Sequence, residues 1–372
     1  MNGSYLPHVT MAHHADNTDD IITVTWGAVT SPSDVNNTSV PDLFLLLGSE
    51  PMFIAASLLY KVGLVVIFVA GIVGNVMTLM IQHHIAGDSD SGLSVFISSL
   101  AVADSAALAC TSWYLLAFHL IDTKDNQGTC KIAYFLVYSL CMMPTWILVA
   151  MTLQRAASIL FPHRVKAVWT ARKAKVTVCV IVLASLALNS HMVYGRELQA
   201  LPGEDQQCGY VSEEYRHVFE DVWPFVDLVL ASFLPFVLLI GANAVLVNRV
   251  RRSVEEAKQS LATGSSRQQL QTREQKASSM TVTLICVSLA FLLLTSPVAL
   301  FYVAKRTAGI SRQPGATDDV REMADNVFAE ALGNILFLSN NAINFYIYIL
   351  TGSRYREALK GMLGCRAAEK GM

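Results

Sequence analysis

The sequence predicts an all-α membrane protein: a bundle of seven transmembrane helices followed by a short amphipathic eighth helix. Three observations carry this. Hydrophobic residues fill 53 % of the 372 positions and charged residues only 15 %, against about 25 % charged in an ordinary soluble domain. Seven apolar stretches each approach or exceed the ~20 residues that a helix needs to cross roughly 30 Å of hydrocarbon. The basic residues between those stretches gather on one side, as they do on the cytosolic face of membrane proteins.

Residues 1–52 contain no Lys or Arg but hold Asp16, Asp19, Asp20, Asp34, Asp42 and Glu50. They lack the basic start, compact apolar run and cleavage site of a secretory signal, so targeting falls to the first hydrophobic helix. Glycosylation sequons stand at Asn2, Asn36 and Asn37, all before the first span. This segment reads as a flexible, glycosylated extracellular N-terminus.

The spans are Val62 to Ile81 (the helix beginning near Phe53), Leu93 to Phe118, Ile132 to Leu160, Val176 to Tyr194, Trp223 to Val247, Met280 to Val303 and Val327 to Leu350. Each is helical because lipid offers a backbone no outside hydrogen-bond partner. Arg164, Lys166, Arg172, Lys173 and Lys175 follow the third span, and Arg249, Arg251 and Arg252 follow the fifth. These place the N-terminus outside and residues 353–372 in the cytosol, with residues 53–352 as the bundle of a multi-pass plasma-membrane protein. The stretch Gln259 to Glu274, with Gly264-Ser265-Ser266, reads as a mobile loop. Ser353 to Leu363 carries apolar residues at helical spacing beside basic ones and should lie along the inner membrane face. Cys365, directly after it, is a candidate for palmitoylation, with a free thiol as the plain alternative. Of the seven cysteines, Cys130 and Cys208 fall in outer segments, where the redox state permits a bridge, so one disulfide joining them is expected.

Asp104 lies in the centre of an apolar run, where an ionisable group is costly and usually functional. Asn75 in the first span and Asn340, Asn341 and Asn344 in the last are its partners by position. Such a hub can hold a proton or a cation such as sodium; a purely structural hydrogen-bond cluster is the alternative.

Several motifs resemble the rhodopsin-like (class A) G-protein-coupled receptors. They are Gly74-Asn75, Leu100 to Asp104, Cys130 and Arg155 at the two ends of the third span, Phe233-Leu234-Pro235-Phe236, Phe291 with Pro297, and Asn344 to Tyr348 followed by Tyr355. The likeness runs from about residue 53 to 365. Trp223-Pro224, Leu293 to Pro297 and Asn344 to Tyr348 are further similar to receptors for short neuropeptides, especially invertebrate ones of the FMRFamide type. The resemblance implies a ligand entering the outer half of the bundle and a heterotrimeric G protein docking at Arg155. Pro235 and Pro297, which each remove a helix hydrogen bond, would shape the bend between states. Arrestin and membrane lipid are the other implied partners; nucleic acid, a cofactor and enzymatic activity are not expected.

The sequence departs from that family in places. Gln154-Arg155-Ala156 has no carboxylate beside its arginine, which weakens the restraint on the resting state. Thr295 replaces a tryptophan, Phe345 a proline and Asn243 a tyrosine. Pro144 alters the wall of the ion site, and the fourth span lacks its usual tryptophan. The last span has no lysine to anchor retinal, and Val137 stands where amine receptors place an aspartate. Asp227 and Glu330 approach the outer end beneath an acidic loop, which fits a basic peptide, paired inside the bundle and steered by surface charge. Other readings are a receptor for a non-peptide ligand, one with high basal activity, or a transporter. The last would predict internal repeats and several intramembrane charges, which the sequence does not show.

Overall fold

The computed structural model describes residues 9–12, 23–26, 46–85, 91–120, 127–161, 170–199, 207–262, 268–308 and 316–364. Strands β1 (Val9–Ala12) and β2 (Thr23–Trp26) pair antiparallel, Val9 opposite Trp26 and Ala12 opposite Thr23. The bundle helices are α1 (Pro51–Ile85), α2 (Gly92–Leu120), α3 (Gln127–Leu160) and α4 (Ala171–Gly195). A hairpin of β3 (Arg196–Gln199) and β4 (Gln207–Tyr210) follows. Then come α5 from Glu213 to Ala262, α6 (Gln268–Ala308), α7 (Ala316–Thr351) and α8 (Ser353–Met362).

Helices α1 to α6 are each long and apolar enough to cross a membrane, and α7 reaches that measure when Val320–Thr351 is taken with α8, from which it bends by 92°. Asn334, Asn340, Asn341 and Asn344 dilute the apolarity of α7, and those asparagines are what it brings to the interior. On α1, Val62, Val66, Val69, Val73 and Val76 are all exposed, whereas Asn75, Thr78 and Gln82 are buried. This inversion of a soluble helix follows from lipid being the solvent: apolar side chains face out, and polar ones find partners inside.

Most helices overrun their apolar stretches with polar turns at the ends. α5 begins ten residues before Trp223 as joined pieces, two of them π-helical turns at Val218–Val222 and Leu228–Phe233. Each wide turn comes just before a proline, Pro224 or Pro235, whose missing N–H and bulky ring would otherwise break the ladder. The stretch Gln259 to Glu274, expected to be a loop, is helical through Ala262 and again from Gln268. Within residues 1–52, expected to be flexible, β1 and β2 use β-branched Val and Thr. Leu47 in the turn before α1 packs with Phe53 against Val320 and Ala324 of α7.

Glycine permits the close approach of α1, α2 and α7. A Cβ at Gly71 would lie 2.5 Å from the Leu108 side chain and 2.9 Å from that of Ala342. Gly71→Val should therefore lower stability by about 1–3 kcal/mol through overpacking. Thermal unfolding of the purified protein checks this, and an unchanged midpoint would mean that the three helices part freely.

Candidate ligand and signalling sites

Three residues on one face of the first turns of α3, spaced i, i+3 and i+7, hold the β3–β4 hairpin. The Gln127 side-chain carbonyl accepts from the Leu198 backbone N–H at 2.8 Å. Cys130 is bonded to Cys208, with a Cα–Cα distance of 5.4 Å. The Tyr134 ring faces the Arg196 guanidinium at 3.9 Å. Arg196 is only 1 % exposed and also meets the rings of Tyr210 at 4.2 Å and Phe219 at 4.4 Å. Burial and the nearby Glu220 hold the Tyr210 phenol above its ordinary range despite the opposing pull of Arg196, so its O–H stays available to the Glu220 carboxylate. Gly195 admits this cluster, because any side chain there would collide with the Tyr215 ring.

Below the hairpin, Asp227 and Arg196 both lie within electrostatic reach of Tyr138. Among the described residues, Asp227 makes no hydrogen bond or ion pair. Glu330 on α7 is half-buried and acts on Tyr60, whose oxygen accepts from Asn334 Nδ2 at 3.1 Å. Val137 is half-buried on α3. Thr295 is fully buried and donates to the Phe291 carbonyl at 2.6 Å, which spends its hydroxyl on its own helix.

The polar hub forms at mid-bundle. Asp104, 1 % exposed, accepts through Oδ2 from Asn344 Nδ2 at 2.8 Å. Asn75 donates to the Asn341 backbone carbonyl at 3.2 Å, so it ties α1 to α7 and does not bond the carboxylate. Asn340 is buried close by, with no hydrogen bond to Asp104. Asp104 Oδ1, Asn75 Oδ1 and Asn341 Nδ2 are buried and unpartnered. Each of these two oxygens is an acceptor that a proton or a cation suits chemically, whereas a Pro144 ring has no ligand atom to offer. Among the described residues, no three His, Cys, Asp or Glu side chains gather as a metal site.

At the opposite end from the disulfide, Arg155 Nη2 donates to Thr281 Oγ1 of α6 at 3.3 Å. Gln154 is buried beside it with Oε1 unpartnered. Phe236 and Phe291 meet edge to face at 5.6 Å, joining α5 to α6 next to the buried Pro235. Pro297 lies inside α6 without ending it. Tyr348 stacks on Tyr355 of α8 at 4.9 Å, and the Tyr355 hydroxyl accepts from Gln82 Nε2. The joint between α6 and the α7–α8 corner is stitched by hydroxyls. Ser279 donates to the Thr351 carbonyl at 3.1 Å, Thr351 to Thr283 Oγ1 at 2.9 Å, and the Ser353 N–H to Ser279 Oγ at 3.2 Å. Arg356 donates to the carbonyls of Ile349 and Leu350, closing the C-terminus of α7 at the turn.

This order of features along seven helices coincides with a match to the family model described as 7 transmembrane receptor (rhodopsin family), over residues 74–348. The chain belongs to that family. The receptor is 24 % identical over 335 residues to growth hormone secretagogue receptor type 1 of Rattus norvegicus, covering 88 % of this chain and 86 % of the relative. It is 21 % identical over 308 residues to galanin receptor type 1 of Rattus norvegicus, covering 82 % of each. To the FMRFamide receptor of Drosophila melanogaster it is 24 % identical over 315 residues, spanning 78 % of this chain and about half, 51 %, of that protein.

Sequence reasoning missed two parts of the receptor's site. Arg196 reads in sequence as one of a few basic residues in an acidic loop, and nothing local announces its burial. The role of Gln127 is also silent, because its partner is a backbone N–H 71 residues away. The candidate modification sites Asn2, Asn36, Asn37 and Cys365 lie outside the described residues.

Proposed function

We propose that this receptor binds a short basic peptide at its disulfide end and drives nucleotide exchange on a heterotrimeric G protein at its Arg155 end. Asp227 carries the reading: a carboxylate inside a bundle, without a partner among the described residues, asks for a cationic group from a ligand. Glu330 supplies a second negative charge, Val137 an apolar wall, and Thr295 packing beneath the ligand rather than a hydrogen bond to it. The surface around the hairpin is acidic through Glu197, Glu213, Glu214 and Asp221, which steers a basic ligand inward. The relatives are named as receptors for growth hormone secretagogues, galanin and FMRFamide, which is in keeping with a peptide.

In this reading the disulfide end and residues 1–52 face outward, where Asn2, Asn36 and Asn37 are glycosylated. Arg155 and α8 face the cytosol, where Cys365 carries a palmitoyl group and α8 rests on lipid; arrestin shares the G-protein surface. The seven helices of residues 53–352 act as one switching unit. Asp104, Asn75, Asn340 and Asn344 form the interior hub, with sodium as its cation. Pro235, Phe291, Pro297 and Tyr348 relay the change to Arg155. Guanine-nucleotide exchange on a panel of G proteins, with and without a library of peptides in amidated and free-acid form, tests the function. Stimulation by arginine-containing peptides is expected; silence across the library at confirmed surface expression would overturn the peptide ligand.

A second reading concerns the resting state. Gln154 offers Arg155 no charge, and its buried Oε1 has no partner. An aspartate there would add a charge-assisted contact of about 1 kcal/mol, equivalent to roughly a fivefold shift toward the resting state. Gln154→Asp is expected to lower ligand-free exchange to that extent, and equal exchange at equal surface expression would show that other packing sets the balance.

A further inference from the structure

Arg196 is held in an unusual way. Its guanidinium is buried among Tyr134, Tyr210 and Phe219, all within 4.4 Å of its central carbon. Among the described residues it forms no ion pair, and its one hydrogen bond there runs from Nη2 to the Tyr210 oxygen at 3.5 Å. Nε and Nη1 are buried without partners. Aromatic rings stabilise a cation through their electron density and leave its N–H donors unspent. A buried guanidinium with unused donors is an expensive arrangement unless an acceptor meets it at some stage of the working cycle. Tyr138 lies within reach of both this cation and the unpartnered Asp227, so the end of the bundle is bipolar. Both charges act on this one tyrosine and, among the described residues, do not pair with each other.

We propose that Arg196 is the anion-accepting residue of the ligand site and selects ligands that bear a carboxylate, while Asp227 takes their cationic group. This rests on the peptide reading above for Asp227, but Arg196 can be tested apart from it. A carboxylate would accept hydrogen bonds from Nε and Nη1 and gain the charge that Asp227, Glu220 and the rings do not cancel. A role confined to holding the hairpin predicts something different: loss of Arg196 would weaken all ligands alike.

The experiment compares pairs of peptides, each arginine-containing and differing only in a free-acid or amidated C-terminus, on wild type, Arg196→Gln and Arg196→Lys. Arg196→Gln should shift the acid-to-amide potency ratio about tenfold toward the amide, and Arg196→Lys should restore most of it. An equal fall for both members of every pair, or an unchanged ratio, would overturn the assignment. If no peptide activates the wild type, the peptide reading fails on its own, and Arg196 is tested by thermal unfolding of the purified receptor. N-acetylphenylalanine should then stabilise wild type more than its amide does, and Arg196→Gln should erase the difference; no difference in wild type would overturn the assignment.

Discussion

Asp227→Asn is expected to lower the potency of an arginine-containing peptide by about a hundredfold. Removing one partner of a buried charge pair costs roughly 2–5 kcal/mol, and each 1.4 kcal/mol is about a factor of ten. Asp227 is suited to an effect of this size, because among the described residues it has no ion-pair partner and its environment is already desolvated. The check is a cycle in which the ligand arginine is replaced by citrulline, which keeps the shape and removes the charge. Citrulline should cost wild type about as much as the Asn substitution does, and should cost the substituted receptor little more. Two independent, additive losses would place the ligand cation elsewhere. Glu330→Gln should cost less, since Glu330 already acts on Tyr60 within the bundle.

Asp104→Ala is expected to lower stability by about 1–3 kcal/mol, the usual cost of stranding a buried polar partner. The stranded group is the Asn344 amide, whose 2.8 Å bond ties α7 to α2. Asp104→Asn keeps an acceptor for that amide and should recover most of the loss, while removing the charge that a cation would need. The unfolding midpoint separates the two substitutions. Sodium dependence of the midpoint, present in wild type and absent in Asp104→Asn, would identify the hub as an ion site. Equal loss in both variants would show that charge, rather than the hydrogen bond, holds the helices.

The helices were legible because lipid imposes long apolar runs, and Asp104 because a lone carboxylate in such a run stands out. The partner of Asp104 was legible only as a set. Four asparagines qualified by depth, and their rotation about α1 and α7 sends Asn344 to the carboxylate and Asn75 to a backbone carbonyl. Helix ends were less readable, since polar turns beyond the hydrocarbon carry no hydropathy signal and α5 gains ten residues there. The π-helical turns before Pro224 and Pro235 had a cue in the prolines themselves, but the width of a turn is set by packing. Arg196 was illegible for a different reason. Its cage draws on α3, β4 and α5, and the pairing of its residues exists only after those elements meet.

The hydroxyl stitching between α6 and the α7–α8 corner bears on what kind of hinge this receptor has. Serine and threonine hydroxyls exchange a neighbour for a water molecule at little net cost, so Ser279, Thr283, Thr351 and Ser353 form a seam that can be unpicked one stitch at a time. No formal charge separates as it opens, and the Debye screening that loosens surface ion pairs has nothing there to act upon. Opening of this seam would be governed by geometry and hydration, a quiet fastening that holds register without demanding a large force to release it.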